Sequence, residues 1–136
     1  AKPTRNIFDN INRKVSDRIL CYSLFIDPPL ARIGMTMEQA KNHSSKVLVA
    51  SREMKKVARA KERGETKGFF RILVEAESQQ IIGAHILGIE GDEIIHSLLD
   101  IMYAKAPYTT ISNAVHIHPT ISELIPTALQ NLKPLD

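Results

Sequence analysis

Two apolar segments joined by a short polar turn constrain this 136-residue chain more than any other feature. Phe70, Ile72 and Val74 alternate with other residues, and this period of two is typical of a β-strand. Residues 77–80 are polar and form the turn, and residues 81–89 return as a second strand. The sequence therefore predicts an antiparallel hairpin, and because parallel strands need long crossovers, it predicts a sheet with antiparallel pairing.

Helical segments lie on both sides of this hairpin in the sequence. Thr36 and Gln39 form a capping box that predicts a short helix ending near His43. Longer helices are predicted to begin at residues 91–92 and after Pro119. The apolar faces of these two helices are Ile94, Ile95, Leu98, Leu99 and Met102, and Ile121, Leu124, Ile125, Ala128, Leu129 and Leu132. The predicted fold class is α+β, an antiparallel sheet with helices packed on one face (an α+β sandwich).

Several local features predict the conformation or burial of single residues and short segments. Residues 19–26 have the β-branched and aromatic mix of a buried strand, so Cys21 within them is expected to be a buried structural thiol. A lone cysteine also fits a reducing, cytoplasmic setting. Propensity favours a helix in residues 51–64. Gly83 in the second hairpin strand predicts a bulge or a close backbone approach, and His96 beside an apolar helix face is expected to pack there.

Composition and charge argue against several classes of protein. Residues 55–67 carry most of the excess of positive over negative charge, with six basic and two acidic residues, but the net charge is only +3 and no stacking aromatics accompany them, so a solvated surface is favoured over a nucleic-acid site. No apolar segment is long enough to cross a bilayer, and residues 1–18 lack the layout of a signal peptide. Neither nucleic acid nor a membrane is therefore an expected partner.

One short motif near the end of the chain could carry acid–base chemistry. His118 precedes a proline, and Glu123 follows five residues later, so a sharp turn would let the carboxylate bind and orient the imidazole. The same spacing also allows Thr120 and Glu123 to form an ordinary capping box. His116 could share a metal with His118, but no third ligand has suitable spacing, so no metal site is predicted. Phosphate-binding glycine motifs are absent from the sequence.

Several ordered motifs together resemble one enzyme family. Residues 118–123 read H-P-T-I-S-E and resemble the H-P-T-x-S-E signature of the FAD-dependent pyridine nucleotide-disulfide oxidoreductases, and His116 gives the H-x-H-P-T form of the lipoamide dehydrogenase branch. Residues 25–36 resemble the family's F-T-x-P-x-x-A-x-x-G-L-T segment. Further similar runs are residues 67–69, 82–88 and 91–95. The resemblance covers residues 19–132 and implies that residues 59–60, with the residues before them, are extended.

The resemblance implies a role for the whole chain. Residues 19–136 correspond to the family's C-terminal dimerisation domain, and residues 1–18 to a segment that enters from the preceding domain. By resemblance, His118 and Glu123 are the catalytic pair that reaches the redox-active cysteines of the partner subunit in a homodimer. Main-chain groups of His118 and Pro119 are expected to meet the partner's flavin, and a cis bond between them would suit this turn.

The same resemblance implies the cofactors FAD and NAD(P)H and a role in redox homeostasis for a full-length parent. Lipoamide dehydrogenase, glutathione reductase and mercuric reductase belong to this family. The redox C-x-x-x-x-C pair and both dinucleotide fingerprints lie in domains that precede this one in the family, and the present sequence contains none of them. The chain alone is therefore expected to bind no cofactor and to be inactive. The alternative is a stand-alone dimerisation or interaction module without redox activity.

Overall fold

A six-stranded antiparallel sheet organises the protein. The computed structural model describes residue 8, residues 11–12 and residues 14–135. The strands are β1 (Cys21–Leu24), β2 (Leu30–Gly34), β3 (Val47–Glu53), β4 (Phe69–Glu75), β5 (Ile81–Leu87) and β6 (Lys133–Pro134). Their order across the sheet is β1-β2-β5-β4-β3-β6, and every pair is antiparallel. The predicted hairpin is β4–β5, at the centre of this sheet.

Five short or medium helices complete the described fold. They are α1 (Met37–Lys41), α2 (Ala58–Glu62), α3 (Gly91–Tyr103), α4 (Thr109–Ser112) and α5 (Leu124–Leu129). Helix α3 packs on β5 and β2, and α5 packs on β3 and α4. Between these helices and the sheet lies the main core, which includes Ile33, Phe70, Ile72, Ile86, Leu98 and Ile125. The α+β sandwich predicted from the sequence is confirmed.

The opposite face of the sheet is covered only at one end. Leu73 points away from its neighbours Ile72 and Val74 because successive strand residues face opposite sides. With Val47 and Ala40 of α1 it forms a second, smaller apolar cluster. The predicted Thr36 capping box holds the start of α1, through Gln39 N–H to Thr36 Oγ1 (3.0 Å) and Thr36 N–H to Gln39 Oε1 (2.9 Å).

The glycine prediction is confirmed at Gly83. The register of β4 against β5 shifts between Leu73 and Val74, directly opposite this glycine. A Cβ atom at Gly83 would lie 2.5 Å from the carbonyl oxygen of Met35, which is closer than real contacts allow. The glycine therefore lets the chain after β2 lie against the central strand.

The helix predicted for residues 51–64 and the resemblance disagree over residues 59–60, where the helix prediction is right; it is wrong at residues 51–53, which belong to β3. Residues Ala58–Glu62 form α2, with Lys61 N–H donating to the Val57 carbonyl over 3.1 Å. Val57 and Ala60 are buried three residues apart on one side of the turn, so helical packing determines the conformation. The extended backbone implied by the resemblance is wrong at this point.

Two burial predictions are also wrong. Strand β1 is exposed along most of its length, and Cys21 is an exposed free thiol. The cause is its position, because β1 is an edge strand and α3 packs on its inner neighbours β2 and β5. His96 is exposed on the solvent side of α3, while Ile95 beside it faces the core.

The remaining expectations concern the surface and the start of the chain. The charged side chains of residues 55–67 are exposed, and several form surface ion pairs, such as Arg63 with Glu90 (2.7 Å). The segment 1–18 falls largely outside the described residues, apart from a 3₁₀ turn at Val15–Asp17. No helix in the described part of the chain is long and apolar enough to cross a membrane.

Candidate functional site

A tight turn between α4 and α5 brings the predicted site residues together. The His118–Pro119 peptide bond is cis, as expected from the resemblance. The Thr120 hydroxyl donates to the Ile117 carbonyl (2.7 Å) and accepts from the Glu123 N–H (3.3 Å). One side chain therefore links both ends of the segment that carries His118 and Glu123.

His118 and Glu123 are in direct contact within this turn. The distance from His118 Nδ1 to Glu123 Oε2 is 2.7 Å. Because an ionised carboxylate can only accept, the imidazole donates its Nδ1–H to Glu123. The His118 side chain is 71% exposed and that of Glu123 is 23% exposed. Glu123 thus orients the ring, and the second ring nitrogen, Nε2, is left available to exchange a proton with another molecule.

The predicted helix start is wrong by several residues, and the partner of the Glu123 carboxylate differs from that expected of a complete capping box. Helix α5 begins at Leu124 rather than directly after Pro119. Only half of a capping box forms, because the Thr120 hydroxyl binds the Glu123 N–H while the Glu123 carboxylate binds His118. The carboxylate therefore acts on the imidazole and not on the helix end.

The backbone of Glu123 is held firmly where α5 begins. Its carbonyl accepts a hydrogen bond from Thr127 Oγ1 (3.1 Å), and the next residue, Leu124, is buried. On the other side of the turn, the His116 ring approaches the Ser122 carbonyl (Nδ1 to oxygen, 3.0 Å). His116 consequently fastens the turn and does not pair with His118. Within the part of the chain that the structure describes, no cluster of three potential metal ligands occurs.

The residues on the outer side of the turn are exposed to solvent. Val115 is fully exposed and Ile117 is 80% exposed, and His118 and Pro119 are exposed beside them. Apolar side chains this exposed are typical of a surface that contacts another molecule. Contact of the main-chain groups of His118 and Pro119 with a flavin stays a prediction.

The structure contains a second histidine–glutamate pair that the sequence analysis missed. His43 Nε2 lies 2.8 Å from Glu75 Oε1, and both side chains are about one-fifth exposed. Hydrogen bonds from Ser78 and from His43 hold the pKa of the Glu75 carboxyl below its ordinary value. No spacing signal could reveal this pair, because 32 residues separate its members.

Known proteins match both the sequence and the fold. Residues 21–129 match the family described as the pyridine nucleotide-disulphide oxidoreductase dimerisation domain. A probable pyridine nucleotide-disulfide oxidoreductase, RclA of Escherichia coli strain K12, is 32% identical over 102 residues, which are 75% of this chain and 23% of that protein. Dihydrolipoyl dehydrogenase of Corynebacterium glutamicum is 34% identical over 79% of this chain and 24% of its own length. The chain thus spans about a quarter of these relatives.

Solved structures agree with this assignment. The HOCl-induced flavoprotein disulfide reductase RclA from Escherichia coli superposes with a TM-score of 0.87 at 29% identity, over 93% of this chain and 30% of that one. LpdA from Mycobacterium tuberculosis shares the fold, with a TM-score of 0.76 at 18% identity over 82% of this chain and 24% of its own. The chain belongs to the pyridine nucleotide-disulphide oxidoreductase dimerisation domain family.

Proposed function

We propose that this chain is the dimerisation domain of a homodimeric, FAD- and NAD(P)H-dependent disulfide oxidoreductase. Residues 19–136 form the domain in this proposal, and residues 1–18 enter from a preceding domain. His118 and Glu123 are proposed to act as an acid–base pair at the redox-active disulfide of the partner subunit. The reducing environment that such an enzyme needs, and the single cysteine of the chain, support a cytoplasmic location.

The observation that carries the proposal is the geometry of the pair. Glu123 occupies Nδ1 of His118 at 2.7 Å, and the ring is largely exposed to solvent. A histidine whose one nitrogen is fixed and whose other nitrogen faces outward is suited to proton transfer to a molecule that docks on the turn. The exposed apolar residues Val115 and Ile117 beside it give such a partner a surface to contact.

The proposed chemistry of the pair concerns one proton. When a substrate disulfide is reduced, His118 Nε2 takes the proton from an attacking thiol, and the resulting thiolate forms a bond to a substrate sulfur. The other substrate sulfur leaves as a thiolate, and the imidazolium returns the proton to it. Glu123 keeps Nδ1 protonated throughout and stabilises the imidazolium by a charge-assisted hydrogen bond. This chain supplies the group that carries the proton, and the attacking thiol is proposed to belong to the redox-active pair of the partner subunit.

The cofactors are proposed to belong to the longer polypeptide. FAD, reduced by NAD(P)H, supplies the electron pair that reduces the disulfide. The sequence has no phosphate-binding glycine motif of its own, and the exposed turn at His118 and Pro119 is the part of this chain proposed to contact a partner's flavin. Because the relatives are about four times longer than the matched region, they have room for separate cofactor domains.

The test begins with the coding sequence upstream of Ala1. We expect it to encode, in frame, a strand–turn–helix with G-x-G-x-x-G and a C-x-x-x-x-C pair. The longer polypeptide should then be a yellow dimer that oxidises NADH or NADPH in the presence of a disulfide. A start codon at this point would instead favour a free-standing interaction module, and a yellow dimer whose turnover is unchanged by His118→Gln would refute the acid–base pair alone.

A further inference from the structure

Half of one sheet face carries a row with two arginines, and none of the five helices α1–α5 packs on it. Tyr22 of β1, Arg32 of β2, His85 of β5 and Arg71 of β4 stand opposite one another in successive strands. Directly opposed residues in a sheet point to the same side. This row, which we call the arginine row, faces away from the main core that holds α3 and α5. It is therefore separate from the turn that carries His118.

Arg32 is held in place, and it has no acidic partner among the residues that the structure describes. Its guanidinium lies 5.6 Å from the centre of the Tyr22 ring, and Nη1 donates to the Tyr22 hydroxyl over 3.2 Å. A further weak contact joins Nη2 to the Gly34 carbonyl at 3.4 Å. The Nε atom is buried and has no hydrogen-bond partner among the described residues. Neutral acceptors thus orient this charge without neutralising it.

Arg71 repeats the arrangement two strands away. Its guanidinium lies 5.0 Å from the centre of the Phe69 ring. Among the described residues, neither Arg32 nor Arg71 forms an ion pair. Between them, burial and the charges of Arg32 and Arg71 lower the pKa of His85, so the imidazole is neutral at pH 7. Half-buried arginines are usually matched by carboxylates, because an uncompensated charge is costly to desolvate.

An apolar row lies beside the arginine row on the same face of the sheet, offset by two residues along each strand. Leu24, Leu30, Leu87 and Phe69 stand opposite one another in the same four strands. Leu24 is 49% exposed, and the other three are partly exposed. A continuous apolar strip bordered by unmatched positive charge has the composition of a protein-docking surface and not of a solvated sheet face.

We propose that this half of the sheet docks an acidic amphipathic helix. The helix lies across the strands, its apolar stripe on the row of Leu30, Leu87 and Phe69 and two carboxylates on Arg32 and Arg71. The two arginines are separated by one intervening strand, which places their backbones about 10 Å apart. Helix positions i and i+7 are also about 10 Å apart, so two acidic residues at that spacing match both arginines.

A synthetic peptide tests the proposal on the 136-residue chain. The probe is a helix-forming peptide with Glu at i and i+7 beside Leu at i+1, i+4 and i+8, titrated while backbone amide NMR shifts are recorded. We expect saturable shifts confined to residues 30–33, 69–71 and 85–87, and binding at least tenfold weaker for Arg71→Gln. Added salt should weaken binding, because the arginine–carboxylate contacts are partly exposed.

Matched controls separate charge from folding. Arg59→Gln removes an exposed arginine that pairs with Glu62 on α2, and it should leave binding unchanged. Arg71→Lys keeps the charge and should bind more tightly than Arg71→Gln. A peptide with Gln at both acidic positions should bind at least tenfold more weakly than the Glu peptide. The proposal is overturned if the Glu and Gln peptides bind equally, or if the Glu peptide gives no saturable shifts. It is also overturned if the chain self-associates through these same amides and Arg71→Gln abolishes that self-association.

Discussion

Two histidine–glutamate pairs of nearly equal length occur among the described residues, and their surroundings differ. His118 and Glu123 are 2.7 Å apart, with the imidazole 71% exposed. His43 and Glu75 are 2.8 Å apart, with the imidazole 21% exposed. Pair distance alone therefore does not distinguish a candidate catalytic pair from a structural one. Access to the second ring nitrogen does, because proton transfer needs a nitrogen that another molecule can reach.

The partners of the two carboxylates show the same contrast. Glu75 binds Ser78 as well as His43, so its lone pairs serve a local network that joins β4 to the chain before β3. Glu123 has His118 as its side-chain partner among the described residues, and its backbone is fixed by Thr120 and Thr127. The hydrogen bonds of Glu75 belong to a local network around a mostly buried histidine. The hydrogen bond of Glu123 leaves the His118 imidazole exposed to solvent.

The largest expected effect comes from removing the exposed imidazole. In the proposed longer enzyme, His118→Gln should lower kcat/KM for NAD(P)H-dependent disulfide reduction by about 10²–10⁴-fold, because general acid–base catalysis is lost. Steady-state kinetics on the purified dimer would measure this. His43→Gln is the matched control, since it removes the histidine of the other pair, and its kcat/KM should stay within about twofold of the parent. Equal losses in the two variants would contradict the distinction drawn between the pairs.

A smaller loss is expected from Glu123→Gln. The amide oxygen can still accept the Nδ1–H of His118, but the charge that stabilises the imidazolium is gone. The difference between a charge-assisted and a neutral hydrogen bond is about 1.4 kcal/mol, which corresponds to roughly tenfold in kcat/KM. The same assay measures it. A loss as large as that of His118→Gln would show that Glu123 does more than orient and stabilise the ring.

These contrasts show what the sequence could and could not predict. The α+β sandwich, the β4–β5 hairpin and the Thr36 capping box follow from local period and spacing, and they are confirmed. The contact between His118 and Glu123 was one of two alternatives that the same spacing allowed. The spacing could not choose between them, because a capping box and a histidine–carboxylate pair both need a carboxylate at that position.

Two other features depend on contacts between residues that are far apart in the sequence, and local patterns could not predict them. His43 and Glu75 meet because the loop before β3 and the end of β4 are neighbours in the sheet, and no local pattern encodes that register. Cys21 was predicted to be buried from the apolar character of its strand. Its exposure depends on the place of β1 at the sheet edge, which is a property of the whole topology.

Glu75→Gln should affect stability and leave catalysis intact. The pKa of Glu75 is lowered in the folded state by hydrogen bonds from Ser78 and His43, so its ionised form contributes stability above its ordinary pKa near 4.5. That contribution is lost as the pH falls toward the lower pKa of the folded state. The variant should therefore unfold at lower urea concentration than the parent at neutral pH, and the difference should narrow on acidification. A constant difference at every pH would count against the carboxylate network.

The smallest expected effect concerns His85, a histidine between two arginines and without a carboxylate. Burial, then the charges of Arg32 and Arg71, lowers its pKa below 6.5 in the folded state, so on acidification the unfolded chain takes up this proton first. The free energy of unfolding should then fall as the pH drops from about 6.5 toward the pKa of the folded state, and His85→Gln should reduce that slope. Urea unfolding at about pH 7.5 and about pH 5.5 would measure it. An unchanged slope in His85→Gln would mean that burial and the arginine row do not disfavour the charged imidazole.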